Sequence, residues 1–225
     1  VETLIKDYAK IMNLKTIRLK KNKGLGLALR EGLKFCTSTY VLRFDTGDFN
    51  DPKRALKQIK YIKKGDYDII SSFVYEFDVN KDCPKRIKKV PLKYKNIQRS
   101  IFIRCPFNHP SVCFKREAII NLKGGYRNCL YYEDYDLWIR ALNSGFKASN
   151  ISEPLVGMKF NELIERRVGL KIVLNEARLF LTFFNYSKSQ FMLFIPAFFS
   201  RTFIRLLPSF IVKKFYSLFL REKSF

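Results

Sequence analysis

The sequence predicts an α/β fold in which helices cover a mostly parallel, mixed sheet. Strand-like and helix-like segments alternate from the start of the chain to about residue 158. This rhythm is typical of parallel strands joined by right-handed helical crossovers. A chain of 225 residues, 47% of them hydrophobic, also has enough apolar material for one sizeable core.

The first segments set this rhythm. Residues 1–12 carry apolar side chains at helical spacing, and residues 15–19 alternate like a strand. After a glycine-containing turn at residues 22–26, Leu29 and Leu33 mark the inner face of a second helix. Strand, helix and strand in this order favour a parallel pairing between the first and second strands.

The next strand, residues 40–44, runs into an acidic loop. Asp45 and Asp48 follow the strand, and Asp51 is placed to cap a helix that begins at Pro52. Carboxylates at the carboxyl end of a buried strand lie where open α/β sheets bind ligands. Their oxygens suit Mg²⁺ or Mn²⁺ carrying a phosphorylated substrate. An acidic turn that only caps a helix is the alternative.

Three further motifs follow a strand predicted at residues 67–71. Residues 108–116 have the pattern of a turn entering a strand and include the single histidine, His109. Gly125 belongs to a tight backbone crossing. Glu133 and Asp134 stand in the first turn of a helix, where the helix dipole favours acids.

Charge and cysteine content restrict the classes of partner. The net charge of +23 predicts attraction to a polyanion. Between residues 81 and 104 nine cations accompany one acid, which indicates either a solvated face or a patch for an anionic acceptor or a lipid head group. Five cysteines without a CxxC pair predict reduced thiols in a cytosolic compartment.

Residues 159–225 are predicted to form a helical, basic, aromatic-rich extension. Phenylalanine recurs between cations, and prolines interrupt the pattern at Pro196 and Pro208. This favours interfacial helices lying on an anionic leaflet. A helical hairpin packed on the preceding domain is the alternative. The longest apolar run, residues 191–199, is too short to span a bilayer.

Four motifs, taken together, resemble those of a known family. They are Tyr-Val-Leu-Arg-Phe-Asp-Thr-Gly-Asp at 40–48, His-Pro-Ser-Val at 109–112, Gly-Gly-Tyr at 124–126 and Glu-Asp-Tyr-Asp-Leu-Trp-Ile-Arg at 133–140. In this order and spacing they resemble the inverting family 2 glycosyltransferases that build bacterial capsule, exopolysaccharide and lipopolysaccharide. The resemblance covers residues 1–158 as a catalytic domain. It implies a three-layer, Rossmann-like A-type glycosyltransferase fold whose first strand would precede Val1.

The resemblance implies a role for each acidic motif. A divalent cation, Mg²⁺ or Mn²⁺, would neutralise the diphosphate of a nucleotide-sugar donor as it leaves, with Asp45 and Asp48 as donor and metal contacts. The family usually has a third acid where this chain has Gly47. Asp134 is the implied catalytic base, and Glu133 beside it is the implied partner that orients the acceptor. Two first-turn acids that only stabilise their helix are the alternative.

Four more contacts are predicted, and of these only that of His109 follows from the resemblance. The donor contacts are Arg43, His109 and Gly125, and the acceptor contact is Trp138. Arg43 shares a strand face with Asp45 and can pair with that carboxylate as readily as with a phosphate. His109 has the alternative of an ordinary turn residue. Trp138 has the alternative of a core residue, which the leucines beside it favour.

The expected function is inverting transfer of a sugar from a nucleotide-sugar donor to a lipid-linked or oligosaccharide acceptor. The expected partners include an anionic membrane surface and exclude nucleic acid. The expected location is cytoplasmic, peripheral on the inner face of the bacterial cytoplasmic membrane. The alternatives are a non-catalytic basic protein that binds nucleic acid or an anionic membrane, and a degenerate transferase, for which Gly47 is the reason.

Overall fold

A mixed sheet covered by helices forms the body of the protein. The computed structural model describes residues 2–77, 86–159, 170–186, 188–207, 211 and 222–223. Cys83, Pro208 and residues 81–85 of the basic run lie outside these ranges. In chain order the elements are α1 (Glu2–Ala9), α2 (Leu25–Lys34), β1 (Tyr40–Leu42), β2 (Phe49–Asn50), α3 (Arg54–Lys64), β3 (Ile69–Phe77), β4 (Arg86–Lys88), α4 (Tyr94–Ser100), a 3₁₀ turn (His109–Ser111), β5 (Cys113–Lys115), α5 (Arg116–Asn121), α6 (Glu133–Asn143), β6 (Ala148–Lys159), α7 (Leu170–Tyr186), α8 (Lys188–Leu206) and β7 (Glu222–Lys223).

Strand β3 is the centre of the sheet. On one side β6 runs parallel to it along its whole length. On the other side β5 pairs with its first residues and β4 with its last, both antiparallel. The remaining described pairings, β1 with β5, β2 with β6 and β4 with β7, are also antiparallel.

The predicted mixed sheet is confirmed, but the prediction that it is mostly parallel is wrong for the described strands. The strand expected at residues 15–19 is irregular and largely exposed. No described strand lies beside it to accept its backbone hydrogen bonds, so its alternating pattern does not produce a second parallel pairing.

Two apolar clusters show the predicted three layers. Successive residues of a strand point to opposite faces of a sheet. Ile69 and Phe114 belong to the larger cluster, with helices α2, α5, α6, α7 and α8, whereas Ile70 and Cys113 belong to a smaller one with Ile62 of α3. Helices therefore cover both faces of the sheet.

Helix α3 begins two residues later than the sequence predicts. Asp51 does stabilise its entry, because Asp51 Oδ1 accepts from the Lys53 N–H at 2.7 Å and the Asp51 carbonyl accepts from the Arg54 N–H at 2.9 Å. Pro52 lies in the turn before the helix. Helix α6 begins at Glu133 as predicted, and Gly145 follows its end with a φ of +81°.

Helices α7 and α8 form a hairpin that packs on the preceding domain, which is the alternative left open by the sequence. Phe183 and Phe194 join the two helices at a ring-centroid distance of 4.1 Å, and both are fully buried. In the described ranges no helix combines the length and apolarity needed to cross a bilayer. The described cysteines are free thiols, as predicted.

Candidate active site

Arg43 links the end of strand β1 to the acidic loop. Its backbone N–H donates to the Val112 carbonyl of the neighbouring segment at 3.1 Å. Its guanidinium makes a two-pronged ion pair with Asp45, with Nε to Oδ1 at 2.7 Å and Nη2 to Oδ2 at 2.9 Å. The Arg43 side chain is only 9% exposed. The carboxylate pairing is therefore the interpretation of Arg43 that the structure shows.

The same guanidinium also contacts His109. Its Nη1 donates to His109 Nδ1, and because a guanidinium only donates, that ring nitrogen is the acceptor. The Nε2–H then donates to the Tyr126 hydroxyl at 3.1 Å. Burial, and then the charge of Arg43, lower the pKa of His109 well below its ordinary value. His109 is therefore a neutral imidazole with a defined tautomer.

Asp134 completes a chain of contacts from the acidic loop. Its Oδ2 lies 3.8 Å from His109 Nδ1, and its Oδ1 accepts from the Tyr135 N–H at 2.7 Å. Its side chain is 24% exposed. Asp45 and Asp134 thus lie on either side of Arg43 and His109. The two acidic motifs, distant in sequence, meet in one site.

Asp48 has an unpaired oxygen beside Asp45. Its backbone N–H donates to the Asp45 carbonyl at 3.3 Å, and its buried Oδ2 has no hydrogen-bond partner among the described residues. Burial, and then the charge of Asp45, raise the pKa of Asp48 to about 6. A buried carboxylate oxygen without a partner is costly, and a bound cation would satisfy it.

Gly47 occupies a left-handed position between these two acids. Its φ is +89°, and a Cβ there would meet nothing within 4 Å. An aspartate would fit sterically but would adopt a strained backbone conformation. The loop geometry therefore favours glycine at the place where the family that the motifs resemble usually has an acid.

Glu133 is buried next to Asp134. It is 9% exposed, and burial, followed by the charge of Asp134, raises its pKa above the ordinary value. Helix α2 packs closely against it, because a Cβ on Gly26 would lie 2.9 Å from Glu133 Cβ and 2.3 Å from the Arg127 carbonyl. Gly26 therefore has a packing role, and it lies in the first turn of helix α2 and not in the turn predicted before that helix.

The burial of Glu133 predicts a change in stability with pH. The pKa of Glu133 is higher in the folded state than in the unfolded state. Ionisation of Glu133 therefore destabilises the fold once the pH exceeds 4.5, the ordinary pKa of a glutamate. Glu133→Gln should raise the melting temperature at pH 7.5, and this gain should disappear near pH 4. Calorimetry across this range measures it. Glu117→Gln, at an exposed acid of α5, should show no such gain, and an equal gain for both variants would contradict the assignment.

Trp138 lies beneath His109 and not on the surface of the site. It is fully buried, with its ring centroid 5.4 Å from that of Phe107 and 5.9 Å from that of His109. The predicted acceptor contact is wrong for this conformation, since no part of the ring is exposed. Trp138 lies on the buried face of α6, so its ring packs against His109 from the side of the core.

Gly125 lies where the predicted tight crossing requires it. Its φ is +45°, and its carbonyl accepts from Arg140 Nη2 of α6 at 2.5 Å. The glycine therefore ties the 124–126 turn to the helix that carries Asp134. Its contact with a donor stays a prediction.

Asp136 was missed by the sequence reasoning. It is 3% exposed, and its Oδ2 accepts from Arg140 Nε at 2.9 Å and from Nη2 at 2.7 Å. Its Oδ1 accepts from the Thr182 hydroxyl of α7 at 3.2 Å. The spacing of four residues between Asp136 and Arg140 predicts their ion pair on one helix face. No pattern in the sequence predicts the contact with Thr182.

Arg54 was also missed. It is 1% exposed and donates from Nη2 to the Arg43 carbonyl at 2.8 Å, from Nε to Gln58 at 2.9 Å and from Nη1 to Asn50. Its guanidinium carbon lies 4.5 Å from the centre of the Phe44 ring. Burial lowers the pKa of Arg54 to about 10. Arg54 thus fixes the backbone of the acidic loop through its bond to the Arg43 carbonyl. The spacing of apolar residues in α3 alone predicts that Arg54 is exposed to solvent.

A buried ion cluster joins the hairpin to the start of α6. Glu176 of α7 is fully buried and accepts from Arg201 Nε at 2.6 Å, from Arg205 Nη1 and from the Tyr132 hydroxyl at 3.4 Å. Arg205 also donates to that hydroxyl. Because Tyr132 directly precedes Glu133, the hairpin supports the N-terminus of the helix that carries the two acids.

Comparison with known proteins shows the family of this chain. The family profile described as Glycosyl transferase family 2 matches residues 1–122, more than half of the chain. The chain belongs to glycosyl transferase family 2. It is therefore a glycosyltransferase, and the resemblance carried by its motifs is confirmed.

Two curated relatives of this family 2 transferase are bacterial glycosyltransferases. It is 37% identical over 211 residues to the UDP-Gal:alpha-D-GlcNAc-diphosphoundecaprenol beta-1,3-galactosyltransferase of Escherichia coli, covering 93% of this chain and 76% of the relative. It is 32% identical over 203 residues to the amylovoran biosynthesis glycosyltransferase AmsE of Erwinia amylovora, covering 89% of this chain and 75% of that protein.

A solved structure gives the fold. S. aureus TarS 1-349 in complex with UDP-GlcNAc superposes with a TM-score of 0.64 at 15% sequence identity, over 97% of this chain. The transferase spans 63% of the length of that TarS chain. The similarity confirms the predicted A-type fold.

Proposed function

We propose that this transferase moves a sugar, with inversion, from a nucleoside diphosphate sugar to a lipid-linked or saccharide acceptor in cell-surface polysaccharide synthesis. The observation that carries the proposal is the contact chain from Asp45 through Arg43 and His109 to Asp134. This chain supports the proposal because it joins Asp45, the proposed donor-side carboxylate, to Asp134, the proposed acceptor-side carboxylate. The names of the E. coli and Erwinia relatives support the same class of substrates.

Asp134 is the proposed base. Its Oδ1 is held by the Tyr135 N–H, which fixes the carboxylate at the first turn of α6. As the acceptor oxygen bonds to the anomeric carbon, its proton passes to Asp134, and the bond from that carbon to the phosphate oxygen breaks on the opposite face. One displacement of this kind inverts the anomeric centre. Glu133 is the proposed orienting partner, and its raised pKa suits a carboxyl that hydrogen-bonds to an acceptor hydroxyl.

Asp48 and Asp45 are the proposed contacts for Mg²⁺ or Mn²⁺ and for the donor. The unpaired oxygen of Asp48 fits a cation, and its neighbour Asp45 adds a second carboxylate. Among the described residues no group of three or more histidines, cysteines or acids is placed to bind a metal. The remaining ligands would be phosphate oxygens of the donor. When bound, the cation would neutralise the charge that develops on the departing diphosphate.

His109 and Arg43 are proposed to separate the two halves of the site. The imidazole is neutral and accepts from Arg43, so it does not compete with Asp134 for the acceptor proton. The guanidinium holds Asp45 in its orientation and keeps a positive charge near the position proposed for the diphosphate.

The hairpin is the proposed contact with an anionic membrane on the cytoplasmic side. Met192, Phe199, Phe203 and Leu206 are between 56% and 68% exposed, and their spacing places them on one face of α8. Single apolar residues on a surface are common, but a stripe of four on one helix suits a lipid interface. The net charge of +23 adds attraction to anionic lipids.

Donor turnover tests the proposed function. The full chain is incubated with a panel of nucleoside diphosphate sugars and a synthetic lipid-diphosphate-linked sugar, with Mn²⁺ or with EDTA. We expect nucleotide release that requires the metal and increases with acceptor, and a product of inverted anomeric configuration by NMR. Absence of turnover with every donor, together with nucleic-acid binding that weakens steeply with salt, would favour the basic binding protein instead.

A further inference from the structure

A concave surface lies outside the contact chain of acids. It is a groove of about 460 Å³ between the segment that follows β4 and helix α4. Three cations line it, Lys89, Arg99 and Arg104, and none of its lining residues is acidic. It belongs to the basic run between residues 81 and 104, for which the sequence leaves a solvated face and a binding patch as alternatives.

The groove also has an apolar side. Val90, Pro91 and Ile103 line it together with the cations, and Ile103 is 60% exposed. A solvated charged face has no need for a concave surface or for apolar groups between its cations. A ligand that matches both features is anionic at one end and apolar at the other.

Both walls of the groove are fixed to residues next to the candidate active site. On one side Asn108, which precedes His109, donates to the Ser72 carbonyl at 2.8 Å and to the Lys88 carbonyl at 3.4 Å. On the other side the Tyr135 hydroxyl, next to Asp134, donates to the Ile101 carbonyl at 2.5 Å. The groove therefore has a fixed position relative to the proposed base.

The rim of the groove also meets the hairpin. Arg201 of α8 donates to the carbonyl of Ile103. The same helix carries the exposed apolar stripe of Met192, Phe199, Phe203 and Leu206. An apolar chain that leaves the groove past Ile103 would thus start beside the hairpin.

We propose that this groove binds the phosphate groups of the lipid-linked acceptor and the first part of its apolar chain. Lys89, Arg99 and Arg104 would neutralise the phosphates, and Ile103 and Pro91 would contact the lipid. The proposal rests on the proposed function, because a lipid-linked acceptor is the substrate that brings a diphosphate and an apolar chain to this enzyme. Guanidinium groups suit phosphate oxygens because they donate in pairs.

Calorimetric titration of the full chain with farnesyl diphosphate, below its micellar concentration, tests the groove. Saturating UDP, the nucleotide part of the ligand in the TarS complex, is present to fill the proposed donor site, and Mn²⁺ is left out because the diphosphate probes would chelate it. We expect saturable binding that is about tenfold weaker in Arg99→Gln and in Arg104→Gln, since each loses one charged hydrogen-bond donor. Lys60→Gln, at an exposed cation of α3 outside the groove, is the matched control and should bind like the wild type.

Two further probes separate the lipid from the anion. Farnesol has the chain without the phosphates, and inorganic pyrophosphate has the phosphates without the chain. We expect each to bind at least about tenfold more weakly than farnesyl diphosphate. Equal binding of pyrophosphate would overturn the lipid assignment. Unchanged farnesyl diphosphate binding in both arginine variants would overturn the groove itself.

Donor turnover measured on the same preparation keeps the two proposals apart. Metal-dependent turnover without farnesyl diphosphate binding would overturn the groove and leave the proposed function standing. Binding that both arginine variants weaken, without turnover of any donor, would support a lipid-phosphate site and count against the transferase reaction proposed for this chain.

Discussion

Asp134→Asn should lower the rate of sugar transfer by about 10²–10⁴-fold, the usual contribution of a general base. An asparagine oxygen can still accept from the Tyr135 N–H, so the first turn of α6 should keep its geometry. The amide cannot take up the acceptor proton, however. Steady-state kinetics with the donor and acceptor identified by the turnover panel measure the loss, which should fall on kcat.

The controls for this variant separate chemistry from folding. Affinity for the nucleoside diphosphate of the donor should change by less than about twofold, because the substituted group is not a proposed donor contact. Asp66→Asn replaces an exposed acid that pairs with Lys115 and Lys147, and it should leave kcat unchanged. A loss below about tenfold in Asp134→Asn, or a loss matched by a lower melting temperature, would remove Asp134 as the base.

Glu176→Gln should lower the free energy of unfolding by about 3–5 kcal/mol, the largest stability change expected for a single residue here. Glu176 is fully buried between Arg201 and Arg205, and the glutamine would leave two cations without a counter-charge. For a chain of this size each kcal/mol corresponds to about 2–4 °C, so the melting temperature should fall by about 10 °C. Thermal unfolding followed by circular dichroism measures it.

The same variant should also affect catalysis below its melting temperature. The Tyr132 hydroxyl contacts Glu176 and Arg205, and Tyr132 directly precedes Glu133. Loosening this cluster should therefore lower kcat at a temperature where the variant is still folded. Glu153→Gln is the matched control, because its pair with Lys57 is exposed and should contribute at most about 1 kcal/mol. Equal effects of the two variants would show that the hairpin does not support the helix.

Local signals predicted the parts of the site that depend on local structure. The acidic loop was predictable because strand-forming residues stop abruptly at Asp45. The start of α6 was predictable because acids occupy its first turn ahead of an apolar face. The pairing of Arg43 with Asp45 was one of two outcomes that strand alternation allowed, since the residues share a face.

The features of the fold and the site that local signals do not predict depend on contacts between segments distant in sequence. The sequence gives no sign that Tyr126 fixes the tautomer of His109, or that two arginines of α8 meet Glu176 of α7. Residues 15–19 alternate like a strand but lack a described partner strand. Trp138 was predicted to contact the acceptor because it follows Asp134 by one helical turn. The packing of the core buries its side chain instead.

The proposed site is tested most directly by a crystal structure of the full chain with Mn²⁺ and the nucleoside diphosphate of its donor, with the metal located by its anomalous scattering. We expect a manganese peak bound by Asp48, with the diphosphate on the same side as Asp45 and with Asp134 across the space left for the sugar. A manganese and nucleotide site remote from Asp48, or an Asp134 directed away from the nucleotide into bulk solvent, would contradict it.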